Sequence, residues 1–235
     1  MEKLKKLSPH LIVILLFVGI SFAYFSPVLQ GKMLKMEDVT NWQGMSKEIY
    51  DFRDATGEEP LWTNSMFSGM PAYQISIIYK ANLIKYIDKI LMLGMDSPVN
   101  WLFLYLLGFY ILLLSLKIDY RLAAVGAIAF AFSSYFFIII QAGHLTKAHA
   151  IAYMPMVVAA VLYTYRGKLF LGGILTALTV ALQIDCNHLQ ITYYLALLLL
   201  VIGAVQFIKD LKEKNLPNFA KRSGVLLIAA LLASG

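Results

Sequence analysis

The chain has 235 residues, of which 60% are hydrophobic and only 14% charged, with a mean hydropathy of +0.69. A soluble domain carries about 25% charged residues, so this composition excludes an ordinary water-soluble fold. The net charge of +6 then reports membrane orientation and contact with anionic lipid, not a nucleic-acid partner.

The first apolar run, "LIVILLFVGISFAYF" after "MEKLKK", could pass for a signal peptide, but it is long and is followed by no small-residue cleavage site. It predicts an uncleaved first transmembrane helix within residues 1–29, starting near residue 9. Residues 30–97 form a polar insert. In it, Val39, Trp42, Met45, Ile49 and Phe52 recur at helical spacing, with Thr40 and Gln43 as a capping box and Gly57 as the stop. A second amphipathic helix, "NLIKYIDKILMLG", puts Leu83, Ile84, Ile87, Ile90 and Leu91 on one face and Lys85, Asp88 and Lys89 elsewhere, as a helix lying in the membrane interface does. Between them, "EEPLWTNSMFSGMPAYQ" is rich in turn formers and aromatics.

Five further spans are expected within residues 98–208, at about 98–116, 122–142, 148–165, 169–185 and 189–208. A basic loop follows at 209–222, and an apolar run from 223 stops at 235 without a polar flank, as in the N-terminal piece of a longer polytopic protein. Pro98 and Pro155 fall near helix starts or at kinks. One cysteine, Cys186, excludes an internal disulfide and a cysteine-based zinc site.

Lysine and arginine placement sets the orientation. With the N-terminus in the cytoplasm, Lys3, Lys5, Lys6, Lys117, Arg121, Arg166, Lys168 and the 209–222 loop all fall on that side. The short loops opposite hold only Lys147. The 30–97 insert, "AGHLTKAH" and "DCNHLQ" then share the outer face of the inner (cytoplasmic) membrane.

That face gathers the groups able to do chemistry. Glu37 and Asp38 follow the first span; His144, Lys147 and His149 sit at one junction; Asp185, Asn187, His188 and Gln190 sit at the next. Ionisable groups at this depth are costly and tend to be functional. A cation and histidines suit a lipid-linked phosphate, and a carboxylate suits a base that takes a proton from an acceptor hydroxyl. The plainer readings stand beside these: snorkelling for Lys147, interfacial hydrogen bonding for His144 and His149, and favourable helix-dipole charges for Glu37 and Asp38. His144 and His149 are five residues apart and share no helix face, so no metal site is assigned to them with His188. No phosphate loop, dinucleotide fingerprint or nucleophile elbow is present.

The stretch from Gly31 to Gln74, with an acidic residue just after the first span and then Pro60, Leu61, Trp62, Phe67, Gly69 and Pro71, resembles the first outer loop of bacterial YfhO-type membrane proteins. "HAIAYMPMVVAA" and "NHLQITYY" resemble later stretches of that family. The family resembles the GT-C class of polytopic glycosyltransferases. The resemblance implies an all-α transmembrane helix bundle with amphipathic helices in its first extracytoplasmic loop. It implies an inverting transferase using a polyprenyl-phosphate-sugar donor and an envelope polymer, lipid or protein as acceptor. Asp38 is the position that best matches the catalytic base, with Glu37 beside it in reserve. Trp62, Asn64, His144, Lys147, His149, His188, Gln190 and Tyr193 are the expected substrate-binding residues. Some GT-C enzymes use a divalent cation and others none. A lipid or solute transporter and a non-catalytic membrane scaffold are the competing functions.

Overall fold

The structure, a computed structural model, describes residues 2–79 and 81–234, with side chains from Leu7 onward. The side chains of Lys3, Lys5 and Lys6, part of the orientation argument, lie outside the described residues. Helix α1 runs Glu2–Tyr24 and a 3-10 turn covers Ser26–Gln30. The 30–97 insert holds α2 (Glu37–Thr56), a minimal hairpin of β1 (Trp62–Thr63) and β2 (Met70–Pro71), and α3 (Ile84–Leu91). Then follow α4 (Val99–Ser115), α5 (Tyr120–Ala131), α6 (Ser134–Ala142), α7 (Leu145–Tyr165), α8 (Leu169–Asp185), α9 (Leu189–Lys212) and α10 (Leu216–Ser234).

This is an all-α membrane protein. Among the described residues four helices are long and apolar enough to cross a bilayer: α1, α7, α9 and α10. The 21 residues of α7 reach about 31 Å at about 1.5 Å per residue, the thickness of a hydrocarbon core. The run at 122–142 is not the single straight helix its hydropathy suggests. It breaks between α5 and α6 with a bend of 49°, and the pair makes a fifth span if counted together. The break falls at Ser133 and Ser134, and a serine pair is a common site of such kinks. Helices α4 and α8, at 17 residues each, are shorter apolar helices at the lower limit of span length.

Helix α4 is the centre of the bundle. Leu102, Phe103, Leu104, Tyr105 and Leu106 are all buried, and α4 packs on α1, α5 and α7. Lipid tails are as apolar as leucine, so close contact rather than expulsion from water holds such helices together. The buried alanines of α7, Ala148, Ala150, Ala152, Ala159 and Ala160, permit that approach. Phe17 of α1 meets the edge of Tyr110 at 5.5 Å between ring centroids, and Tyr110 also bonds His10 at 2.7 Å. Conversely, Leu197, Leu198, Leu200 and Val201 on α9 and Leu227, Ile228, Leu231 and Leu232 on α10 are exposed, a large apolar patch of the kind that lipid covers.

The insert departs from expectation in two places. Helix α2 begins at Glu37, with Met36 as an N-cap that makes no side-chain bond; the Thr40 hydroxyl instead donates back to the Met36 carbonyl at 3.0 Å. The Thr40–Gln43 capping box therefore does not form, because Thr40 already lies inside the first turn. The stop at Gly57 is as read, with φ 74° and its N–H on the Arg53 carbonyl. Helix α3 is wedged against the bundle and does not present the face its spacing suggested. Ile84, Ile87 and Leu91 pack on the core, whereas Leu83 and Ile90 are exposed. Asp88 lies on the packed face, partnered from α7.

Candidate functional site

The first turn of α2 places Glu37 and Asp38 where the helix dipole favours a carboxylate. Across from it, α6 ends at Gly143 and α7 begins with His144 as its N-cap. Gly143 has φ +93°, and a Cβ there would lie 3.1 Å from Asp38 Cβ, 3.2 Å from Met36 Cβ and 3.2 Å from the Val39 nitrogen. Only glycine lets the α6–α7 corner turn this way and come this close to α2. The consequence is a direct contact between residues 106 positions apart in sequence: His144 Nδ1 sits 2.6 Å from Asp38 Oδ2. Both side chains are about half exposed, so the couple is reachable by solvent and by a substrate. A pair this exposed contributes at most about 1 kcal/mol to stability.

Asp38 opens onto a cleft of about 860 Å³ between α2 and the hairpin tip. Thr40, Asn41 and Met45 form one wall, and Ser65 and Met66 the other. Glu48 fixes that tip. Its carboxylate accepts from the Thr63 hydroxyl at 2.5 Å and from the backbone N–H groups of Asn64 and Ser65, each at 2.9 Å. The Thr63 hydroxyl above all, and then these N–H groups, hold the Glu48 carboxyl below the ordinary glutamate range. The hairpin turns through Phe67, Ser68 and Gly69, all at positive φ. Gly69 is needed twice over: its φ is +120°, and a Cβ would lie 2.7 Å from Trp62 Nε1. Trp62 thus covers Gly69 with one face while staying 56% exposed. Asn64 commits its N–H and its amide to Glu48. Ser65 and Met66, not Trp62 and Asn64, line the Asp38 cleft.

The remaining expected residues divide among separate environments. Glu37 is exposed in the first turn of α2. The Lys147 amine sits 5.4 Å above the Tyr135 ring, in the first turn of α7 next to His144. His149 lies one turn deeper and bonds Asp88 at 2.7 Å, with Trp101 4.9 Å from its ring. Tyr153 donates to the same Asp88 oxygen. His188 is the N-cap of α9, its Nδ1 accepting the Ile191 N–H at 3.4 Å. Gln190 donates to the Tyr194 hydroxyl at 2.9 Å, and Tyr193 is exposed beside it. Among the described residues, no hydrogen bond or ion pair joins His149, His188, Gln190 or Tyr193 to Asp38. Nor do three or more histidine, cysteine, aspartate or glutamate side chains gather as a metal set among the described residues.

Two residues of consequence went unread in the sequence. Glu48 carries no motif, and only the folded hairpin gives it a role. Asp88 did carry a signal: with Ile84, Ile87 and Leu91 it occupies the i, i+3, i+4, i+7 stripe of α3. An acid inside an apolar stripe marks a helix that faces an ionisable partner.

Apolar spans with a solvent-reachable acid–imidazole couple at one end define a helical membrane protein with a candidate reaction centre at its surface. Its family is left open by comparison: no family model matches the chain, and no curated protein and no solved structure matches it significantly.

Proposed function

We propose that the chain is a membrane glycosyltransferase of the GT-C type, moving a sugar from a polyprenyl phosphate to an extracytoplasmic acceptor. The observation that carries this reading is the Asp38–His144 contact, 2.6 Å across and half exposed at the rim of an open cleft. In this reading the N-terminus and basic loops face the cytoplasm, and Asp38 looks outward from the inner membrane.

One carboxylate oxygen of Asp38 is held by His144. The other is free to accept the proton of an acceptor hydroxyl as that oxygen attacks the anomeric carbon. The bond from the anomeric carbon to the phosphate oxygen breaks, and the polyprenyl phosphate leaves with the electron pair. Lys147, in the first turn of α7, is the cation assigned to the departing charge. Attack opposite the leaving group inverts the anomeric configuration. Trp62, exposed on the same loop, offers a stacking face to the sugar. Glu37 is the reserve base.

The test is transfer from a synthetic polyprenyl-phosphate sugar by the reconstituted protein. Asp38→Asn should abolish transfer while insertion and expression persist. Transfer within about threefold of wild type would exclude Asp38 as the base, since general-base loss costs about a hundredfold or more.

A second reading draws on a different observation. The Asp88–His149–Tyr153 cluster lies within the helices, only 18% and 14% exposed at Asp88 and His149, and such groups serve as proton relays in transporters. A lipid or solute transporter would lose function on Asp88→Asn and keep it on Asp38→Asn.

A further inference from the structure

At the end of the bundle opposite Asp38, the C-terminal ends of α4, α7 and α9 and the N-terminal ends of α8 and α10 line an open cavity of about 740 Å³. Lys117, Arg166, Lys168, Lys209 and Arg222 line it, against only two acids, Asp210 and Glu213. Some of this charge is already committed. The buried Asp210 carboxylate accepts from Gln206 at 2.9 Å and from Arg222 at 3.4 Å, and Arg166 donates to the Ser115 carbonyl. Lys117, Lys168 and Lys209 have no hydrogen-bond or ion-pair partner among the described residues, and with Glu213 as the remaining acid the lining keeps an excess of positive charge.

A second void, about 290 Å³ and almost wholly apolar, lies between α4, α7 and α8 and reaches Leu91 of α3, walled by Ile111, Met156, Ala159, Leu175 and Leu178. Ser115 and Tyr163 line both spaces. The basic cavity and the apolar slot therefore adjoin at these two residues. Lysines that only set orientation need no cavity, and a free phosphate needs no slot. A molecule with an anionic head and an apolar tail uses both.

We propose that this end of the bundle is a binding site for an anionic phospholipid, its phosphate among Lys117, Lys168 and Lys209 and part of one acyl chain in the slot. Charge-assisted bonds from ammonium groups suit the phosphate oxygens, and basic pockets between helices on the cytoplasmic side are suited to such headgroups. The inference stands apart from the transferase reading, since none of these residues touches the Asp38 cleft.

The experiment is native mass spectrometry of the full chain in detergent, titrated with phosphatidylglycerol, phosphatidylcholine of the same chains, short-chain phosphatidylglycerol and inorganic phosphate. Long-chain phosphatidylglycerol should bind best. The variant K117Q/K168Q/K209Q should weaken it on the order of a hundredfold, at about fivefold per lysine. Leu175→Trp, which fills the slot, should weaken the long-chain lipid; if that variant does not fold, the chain-length series on the wild-type protein tests the slot instead. Equal binding of phosphatidylcholine, an unchanged triple variant, no dependence on chain length, or inorganic phosphate competing as well as the lipid would each overturn the proposal.

Discussion

Gly143→Ala is the sharpest test of how the Asp38–His144 site is assembled. The wild-type residue sits at φ +93°, where an L side chain costs about 1–2 kcal/mol. The added Cβ also meets Asp38 Cβ at 3.1 Å, Met36 Cβ at 3.2 Å and the Val39 nitrogen at 3.2 Å. Optimal carbon contacts lie at about 3.5–4.0 Å, so each neighbour must yield by a few tenths of an ångström. The backbone cost dominates, and the crowding adds to it, giving about 2 kcal/mol in all. Relief through the backbone swings His144, the next residue; relief through the contacts pushes α2 away. Either route lengthens the Asp38–His144 bond. Thermal unfolding should fall by about 4–8 °C at about 2–4 °C per kcal/mol, with faster amide exchange over the first turn of α7. Gly44→Ala is the matched control. It lies in α2 with nothing within 4 Å of a new Cβ, and alanine there should gain about 0.5–1 kcal/mol of helix stability. If Gly143→Ala is as stable as Gly44→Ala and exchanges like wild type, the corner does not pack on α2 and the reasoning fails.

Other expectations follow from the same contacts. The Glu48 carboxyl lies below its ordinary value of 4.5 when folded, so its hold on the hairpin is complete above that value and is lost as pH falls through the depressed one. Proteolysis at Phe67–Gly69 should therefore accelerate in acid, and Glu48→Gln should be cut fast at neutral pH with little further change; a cleavage rate flat with pH in the wild type would refute the anchor. Asp88→Ala leaves both His149 and Tyr153 without their acceptor, which should cost about 2–3 kcal/mol, read as a lower melting temperature in detergent. A melting temperature unchanged from wild type would show that α3 is not wedged under α7.

Much of the fold was legible because apolar runs near bilayer length can do little else than form helices across or along a membrane. The bend in the 122–142 run was harder to read: hydropathy is continuous across Ser133 and Ser134, and only the backbone shows the chain turning there. Helix α2 is legible from its apolar spacing, but its start is not, since Met36 leaves no cap signature. The site was half visible. Acid and histidine were both expected on one face, yet nothing in sequence spacing pairs Asp38 with His144 over Lys147 or His149. The pairing is a product of Gly143 and the close corner it allows. The expected histidine–lysine group is also not one cluster: His144 meets Asp38, His149 meets Asp88, and Lys147 leans over Tyr135.

The most direct measurement is sugar transfer by the reconstituted full chain, wild type beside Asp38→Asn, with Asp88→Asn in parallel. A transferase with Asp38 as its base gives product from the wild type, a loss of a hundredfold or more in Asp38→Asn at unchanged insertion, and inverted anomeric configuration in the product. Undiminished transfer by Asp38→Asn, or loss confined to Asp88→Asn, would contradict it.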